Sequence, residues 1–165
     1  MPITNKITPC LWFDSDGQAA AEFYTGIFRN SSINGVARYT EEGKEVHHKP
    51  AGSAMVVQFE LDGQAFTALN GGPKFKFTEA ISLQVGCADQ QEIDYFWEKL
   101  GEGGDPKAQQ CGWLKDRYGA SWQIVPRAMG ELMTSADPAK SNRVMSAMLK
   151  MKKIDLAALQ RAFAG

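Results

Sequence analysis

The chain has 165 residues, 44% of them hydrophobic and 22% charged, with a formal net charge of −1. That size and mix fit one globular domain, or two small modules sharing a core, and exclude a disordered chain. The densest basic run is KMKK at 150–153, which argues against a nucleic-acid partner, and no apolar run approaches the roughly 20 residues that span a bilayer.

In chain order, MPITNKITPC lacks a signal-peptide core. ITPCLWF (7–13) is β-branched and aromatic, so it predicts a strand with Pro9 near its start. GQAAAEFYTGIF follows as a helix, with Ala20, Phe23, Tyr24, Ile27 and Phe28 on one stripe and Asp14 or Asp16 as its cap. SSINGVARYT (31–40) predicts a strand broken at Asn-Gly, and EEGKEVHHKPAGS (41–53) a loop. AMVVQFELDG alternates strictly, placing Met55, Val57, Phe59 and Leu61 on one face. Asp62-Gly63 then turns the chain into a partner strand, QAFTALNGG. The first half reads β-α-β-β-β.

PKFKFTEA bridges to a second run of the same order. ISLQVGCA (81–88) predicts a strand. DQQEIDYFWEKLGEGG predicts a helix capped by Asp89, with Glu92 at the capping-box position and Ile93, Phe96, Trp97 and Leu100 buried. A weak strand is expected around PKAQQ, and CGWLKDRYG with ASWQIVP forms a hairpin. Leu11 matches Leu83 and Tyr24 matches Phe96 at an offset of 72, while Gly63 matches Gly119 and Phe66 matches Trp122 at an offset of 56. The shared order points to duplication. Beyond Arg127 the chain turns helical. Asp137-Pro138 opens a helix with Val144, Met145, Met148, Leu149 and Met151 inward, and Asp155 caps another with Leu156, Leu159 and Phe163 inward.

The expected architecture is therefore α+β. Residues 1–130 form a single domain of two β-α-β-β-β modules, about 5–72 and 80–127, and 131–165 form a C-terminal helical tail. Cys10, Cys87 and Cys111 are odd in number without a CxxC pair, which argues against a disulfide framework and fits a reducing cytoplasm.

FDSDGQAAAEFYTGIF, FTALNGGP, DYFWEKL, CGWLKDRYGASWQIVP and RVMSAMLKMKKIDLAAL together resemble the PhnB-like proteins of the vicinal oxygen chelate superfamily. The superfamily includes glyoxalase I, extradiol dioxygenases and bleomycin-resistance proteins, and many PhnB-like members carry the label 3-demethylubiquinone-9 3-methyltransferase. The resemblance implies curved sheets enclosing a cavity, commonly in a homodimer. Methyl transfer from S-adenosylmethionine is not expected. The first turn, DSDGQ, has one glycine, no GxGxG occurs, and the strand order is hairpin-rich.

Superfamily enzymes hold a divalent ion with His and Glu from the first and last strands of each module. The matching positions fall near Thr8 or Cys10, Thr67 or Ala68, Ala80 or Ser82, and Gln123, none of them His or carboxylate. The only histidines, His47 and His48, are adjacent in a predicted loop and make a poor chelating pair. No metal or other cofactor is expected.

Strand alternation from those positions selects Cys10, Trp12, Asn70, Gln84, Trp113 and Gln123 as cavity lining. Aromatic walls with a few amides suit a planar or hydrophobic organic ligand. The competing expectation is that both tryptophans only fill the core and the amides bond to backbone. Cys10 and Cys111 lack a nearby His in sequence, and KDR at 115–117 predicts surface pairing of Asp116 with Lys115 or Arg117. The expected function is binding of a small aromatic or hydrophobic molecule by a cytoplasmic homodimer. The alternatives are an enzyme acting on a quinone-like or other small substrate, as the methyltransferase label implies, and a dimeric scaffold without a ligand.

Overall fold

The β-branched and aromatic residues of the first segment form β1 (Cys10–Phe13), which pairs in parallel with β4 (Gln64–Asn70). These coordinates are a computed structural model, describing residues 6–165. Residues 1–5, which hold the start of MPITNKITPC and the predicted start of the first module at 5, lie outside the described residues. The described residues divide into two compact units, one ending at Phe77 and one spanning Thr78–Gly165.

In the first unit, α1 (Gly17–Ile27) connects β1 to β2 (Ser32–Arg38), and β3 (Ala54–Leu61) follows. The four strands lie in the order β1-β4-β3-β2. The predicted alternation in β3 is real: Val57, Phe59 and Leu61 are buried, as are Phe66 and Ala68 of β4 beside them. Ala20, Ala21 and Tyr24 of α1 are buried too, and the ring of Tyr24 stacks over Phe59 at 6.4 Å. Asp62 and Gly63 both take positive φ, 48° and 78°, as a type I′ hairpin turn requires. The Asn-Gly break in β2 is a bulge between Ile33 and Gly35. The predicted loop at 41–53 contains one helical turn, α2 (Lys44–His47). There the ring of His47 packs on Tyr39 at 4.5 Å.

The start of α1 corrects the expected cap. Asp16 sits at the N-cap position but makes no side-chain cap bond. The Gly17 N–H instead donates to Oδ1 of Asn70, 2.8 Å away at the end of β4. Asn70 also donates through Nδ2 to the Ala54 carbonyl, 3.0 Å. One buried amide thus holds together the helix start, β4 and β3.

The second unit repeats this plan with β5 (Leu83–Cys87), α3 (Gln90–Gly101), β6 (Trp113–Lys115) and β7 (Ser121–Pro126). Its three strands run β5-β7-β6, with β5 and β7 parallel. Asp89 caps α3 as expected, its Oδ1 accepting from the Glu92 N–H at 2.9 Å. The two ladders end alike: Gly71 N–H donates to Phe13 O, and Arg127 N–H to Cys87 O. Phe13 therefore corresponds to Cys87, so the strand match at an offset of 72 slips by two residues. The Gly63–Gly119 and Phe66–Trp122 pairs hold: both glycines have positive φ and both aromatics are buried.

The expected strand at PKAQQ does not form. Asp105-Pro106 starts a 3-10 turn, Pro106–Ala108, with Asp105 Oδ1 accepting from the Lys107 N–H. Gln110 then makes a single antiparallel bridge to Trp113 across Cys111 and Gly112, both at positive φ. The tail comprises α4 (Met129–Met133), α5 (Pro138–Met148) and α6 (Leu156–Ala164). The tail lies within the second compact unit, Thr78–Gly165. Cys111 and Gly112 donate their N–H groups to Met151 O and Lys152 O at 2.9 and 2.8 Å. Gln90 of α3 donates to Ile154 O and accepts from the Leu156 N–H, and Lys153 pairs with Asp94. Val144, Ile154 and Leu159 are buried, whereas Met145 and Leu149 of the predicted inward stripe are exposed. No helix among the described residues is long and apolar enough to cross a membrane.

Candidate ligand-binding cleft of the second unit

Parallel pairing of β5 with β7 sets Gln84 opposite Gln123, and antiparallel pairing of β6 with β7 sets Trp113 opposite the same Gln123. Three of the six predicted site residues therefore form one row across the sheet. Because side chains alternate, their sequence neighbours Val85, Leu114, Trp122 and Ile124 point to the other face, and all four are buried there. Burying those residues leaves the row on the open face.

The row is hydrogen-bonded along its length. Gln123 donates through Nε2 to Ser82 Oγ at 2.8 Å, and Gln84 donates through Nε2 to Gln123 Oε1 at 3.4 Å. Met129, Gly130 and Met133 of α4 and Met148 of α5 wall the space above it, with Val125 and Cys111 at the sides and Arg127 also lining it. The concavity measures about 610 Å³. That is the size of an ordinary small-molecule site, with apolar walls and a few convergent polar groups.

The other three predicted residues belong to the first unit. Asn70 is the buried bracket described above, and both ends of its amide are engaged. Trp12 donates its indole N–H to Gly72 O at 2.8 Å and meets Phe75 edge-on at 4.9 Å, so the 71–75 segment fixes its ring. Cys10 is exposed at the start of β1. Each is tied into its own sheet and loop rather than gathered into a polar cluster.

Sequence reasoning missed several features. Arg127 and the two methionines of α4 line the cleft, but α4 is five residues long and too short to give a periodic signal. Asp116 is a larger miss. It is 3% exposed, a buried acid where a surface one was expected. Its Oδ1 accepts from the N–H groups of Tyr118 and Ala120 at 2.8 and 3.0 Å, and its Oδ2 from Trp122 Nε1 at 2.8 Å. Lys115 pairs instead with Glu79, and Arg117 with Glu102. The only available clue was the acid's place four residues before the turn's end, with Gly119 between it and Trp122.

The donor chemistry does not suit a divalent metal. Of the positions matching the superfamily's metal ligands, Cys10 pairs with Thr67 across the first sheet, and Gln123 donates to Ser82 in the second. Thr67, Ser82 and Gln123 offer no charged oxygen or imidazole, the lone Cys10 thiol has no second ligand of that kind beside it in this set, and the Gln123 amide is already bonded on both sides. Among the described residues no group of three His, Cys, Asp or Glu could hold a metal ion. His47 accepts from the Lys49 N–H through Nδ1 and lies by Glu42 O through Nε2, so its ring is occupied within its own loop.

Residues 5–125 match the model of the family described as 3-demethylubiquinone-9 3-methyltransferase. The PhnB protein of Bacillus cereus is similar in structure, with 35% identity over 74% of this chain and 99% of that one and a TM-score of 0.63. Protein PA1353 of Pseudomonas aeruginosa shares the fold at 18% identity, over 74% of this chain and 98% of that one, with a TM-score of 0.56. Fosfomycin resistance protein FosX of Mesorhizobium loti is 13% identical over 74% and 91% of the two chains, with a TM-score of 0.48. No curated protein matches the chain.

Proposed function

Because the chain belongs to the 3-demethylubiquinone-9 3-methyltransferase family, the PhnB-like branch of the vicinal oxygen chelate superfamily, we propose that it binds a small aromatic or hydrophobic molecule in the cleft of its second unit, without a catalytic metal. The supporting observation is the row Gln84–Gln123–Trp113 beneath a wall of thioethers. An indole face offers a rigid apolar platform, and methionines adapt to irregular shapes. The two amides supply a small number of directional hydrogen bonds that fix the ligand's orientation.

The family description names a methyl transfer, for which S-adenosylmethionine is the common donor. That donor needs a glycine-rich turn and a helix N-terminus open to the ligand, by analogy with dinucleotide sites. The residues present do not fit it. The first strand-to-helix turn holds a single glycine, and the N–H of that Gly17 is taken by Asn70. A Cβ at Gly17 would come within 2.7 Å of Asn70 Oδ1, so no ligand group fits there.

Thermal unfolding with a panel of quinones and planar aromatics tests the proposal. At least one compound should raise Tm, and Trp113→Ala should abolish that rise. A panel that never raises Tm overturns the cleft. One equivalent of tightly bound Fe, Ni, Mn or Zn in the purified protein overturns the metal-free part.

A further inference from the structure

The residues lining the cleft include one formal charge among those described, Arg127, and no carboxylate. The charge is held in place from two sides. The Arg127 backbone N–H donates to Cys87 O at 2.8 Å, fixing the base of the side chain. Its Nε donates to Gly86 O at 3.0 Å, which lays the guanidinium across β5. Gly86 makes this path possible: a Cβ there would stand 3.4 Å from Arg127 Cγ, and a larger side chain would occupy the stem's place.

Arg127 forms no ion pair among the described residues, and its single side-chain bond uses Nε alone. The paired Nη groups keep the flat fork that matches a carboxylate in two parallel hydrogen bonds. Lys115, Arg117 and Lys153 of this unit each have an acidic partner. An anchored guanidinium beside apolar walls, with no protein carboxylate to answer it, is suited to an acidic group brought by the ligand.

We propose that the cleft selects an organic anion: a flat or chain-like apolar body against Trp113 and the methionines, with its carboxylate on Arg127 and a polar substituent beside Gln84 or Gln123. The proposal rests on the ligand-binding reading above and adds the charge and the anchoring residue. No bond is made or broken in this step.

The test compares 2-naphthoate and decanoate with their primary amides, by calorimetry and Tm shift on the full chain. Each acid should bind at least about tenfold more tightly than its amide, the effect of one charge-assisted hydrogen-bonded pair. The preference should shrink as salt rises from low to high concentration. Arg127→Gln should bring acid and amide to equal affinity, and Arg127→Lys should keep part of the preference. Circular dichroism should show both variants folded, since the Arg127 guanidinium is exposed. If acid and amide bind the native chain equally, or if Arg127→Gln keeps the preference, charge selection is overturned while the cleft stands. If none of the four probes binds, the ligand-binding reading falls as well.

Discussion

Trp122 donates its indole N–H to the carboxylate of Asp116, Nε1 to Oδ2 at 2.8 Å, inside the loop that closes the last hairpin. The other oxygen of that carboxylate accepts two backbone N–H groups. A loop whose sequence reads as a charged surface tip is therefore organised round a buried acid. Arg117 and Lys115 turn away to Glu102 and Glu79. The tie also seats Trp122 in the core face directly behind Gln123 and the cleft.

Asp116→Ala removes one acceptor group from three donors at once. Leaving buried donors unpaired costs on the order of 1–3 kcal/mol apiece, though not additively. The expected destabilisation is about 3–5 kcal/mol by urea unfolding. Asp116→Asn keeps Oδ1 but sets an amide NH₂ against the indole N–H, so it should fall between wild type and alanine. A loss below about 1 kcal/mol for Asp116→Ala would contradict the buried-acid account.

Asn70→Ala removes the acceptor for the first N–H of α1 and the donor to Ala54 O. A lost cap costs about 1 kcal/mol, and the buried groups left behind raise the expected total to about 2–3 kcal/mol. Asn70→Asp retains the acceptor and should restore part of the loss. Asp16→Ala should change stability by less than about 0.5 kcal/mol, since that side chain makes no cap bond. Chemical denaturation of the three variants ranks them.

Trp113 is half-buried, unlike the fully buried Trp122. Removing a buried tryptophan costs about 3–5 kcal/mol. Trp113→Ala should therefore destabilise the fold by less than that while abolishing ligand-dependent Tm shifts. Trp122→Ala should show the reverse balance, with stability lost first. Measuring both quantities on both variants separates a cleft wall from a core filler.

The three thiols should separate by reactivity. Cys10 is exposed, Cys111 is half-buried and Cys87 is buried. Burial, with Glu92 beside it pushing the same way, raises the Cys87 thiol from 9.0 to about 12. The native chain keeps this proton where the unfolded chain has lost it. Stability from this group is thus present below about pH 9 and lost as pH rises toward 12. The slope should not exceed about 1.4 kcal/mol per pH unit. A Cys87→Ala variant should lack that part of the alkaline loss. A thiol reagent at neutral pH should label Cys10 first and leave Cys87 untouched until unfolding.

What was legible in the sequence followed from local rules. The alternation of Met55 to Leu61 announced a one-faced strand, Asp62-Gly63 a tight turn, and Asp89 a helix start, because each depends on neighbours a few residues away. Gln84, Trp113 and Gln123 were reachable by alternation as well, though only the pairing of β5, β6 and β7 aligns them in a row. The misses involve long-range partners. The Asn70 cap spans 53 positions to Gly17, and nothing near Gly17 hints at it. The strand expected at 106–110 fails because Asp105-Pro106 starts a 3-10 turn and Cys111 takes a left-handed conformation. Met145 and Leu149 had helical spacing, but only Val144 of that stripe reaches the core.

Cys111 and Gly112 lie just before β6 and hold the backbone of Met151 and Lys152. Three residues earlier in the same tail, Met148 walls the cleft, while Cys111 lines it from the sheet side. Floor and wall are thus laced by a single two-residue seam, so the size of the cavity is a matter of register. Shortening or lengthening the chain between Met148 and Met151 would re-thread the seam and alter the shape of the cleft without changing any residue that lines it.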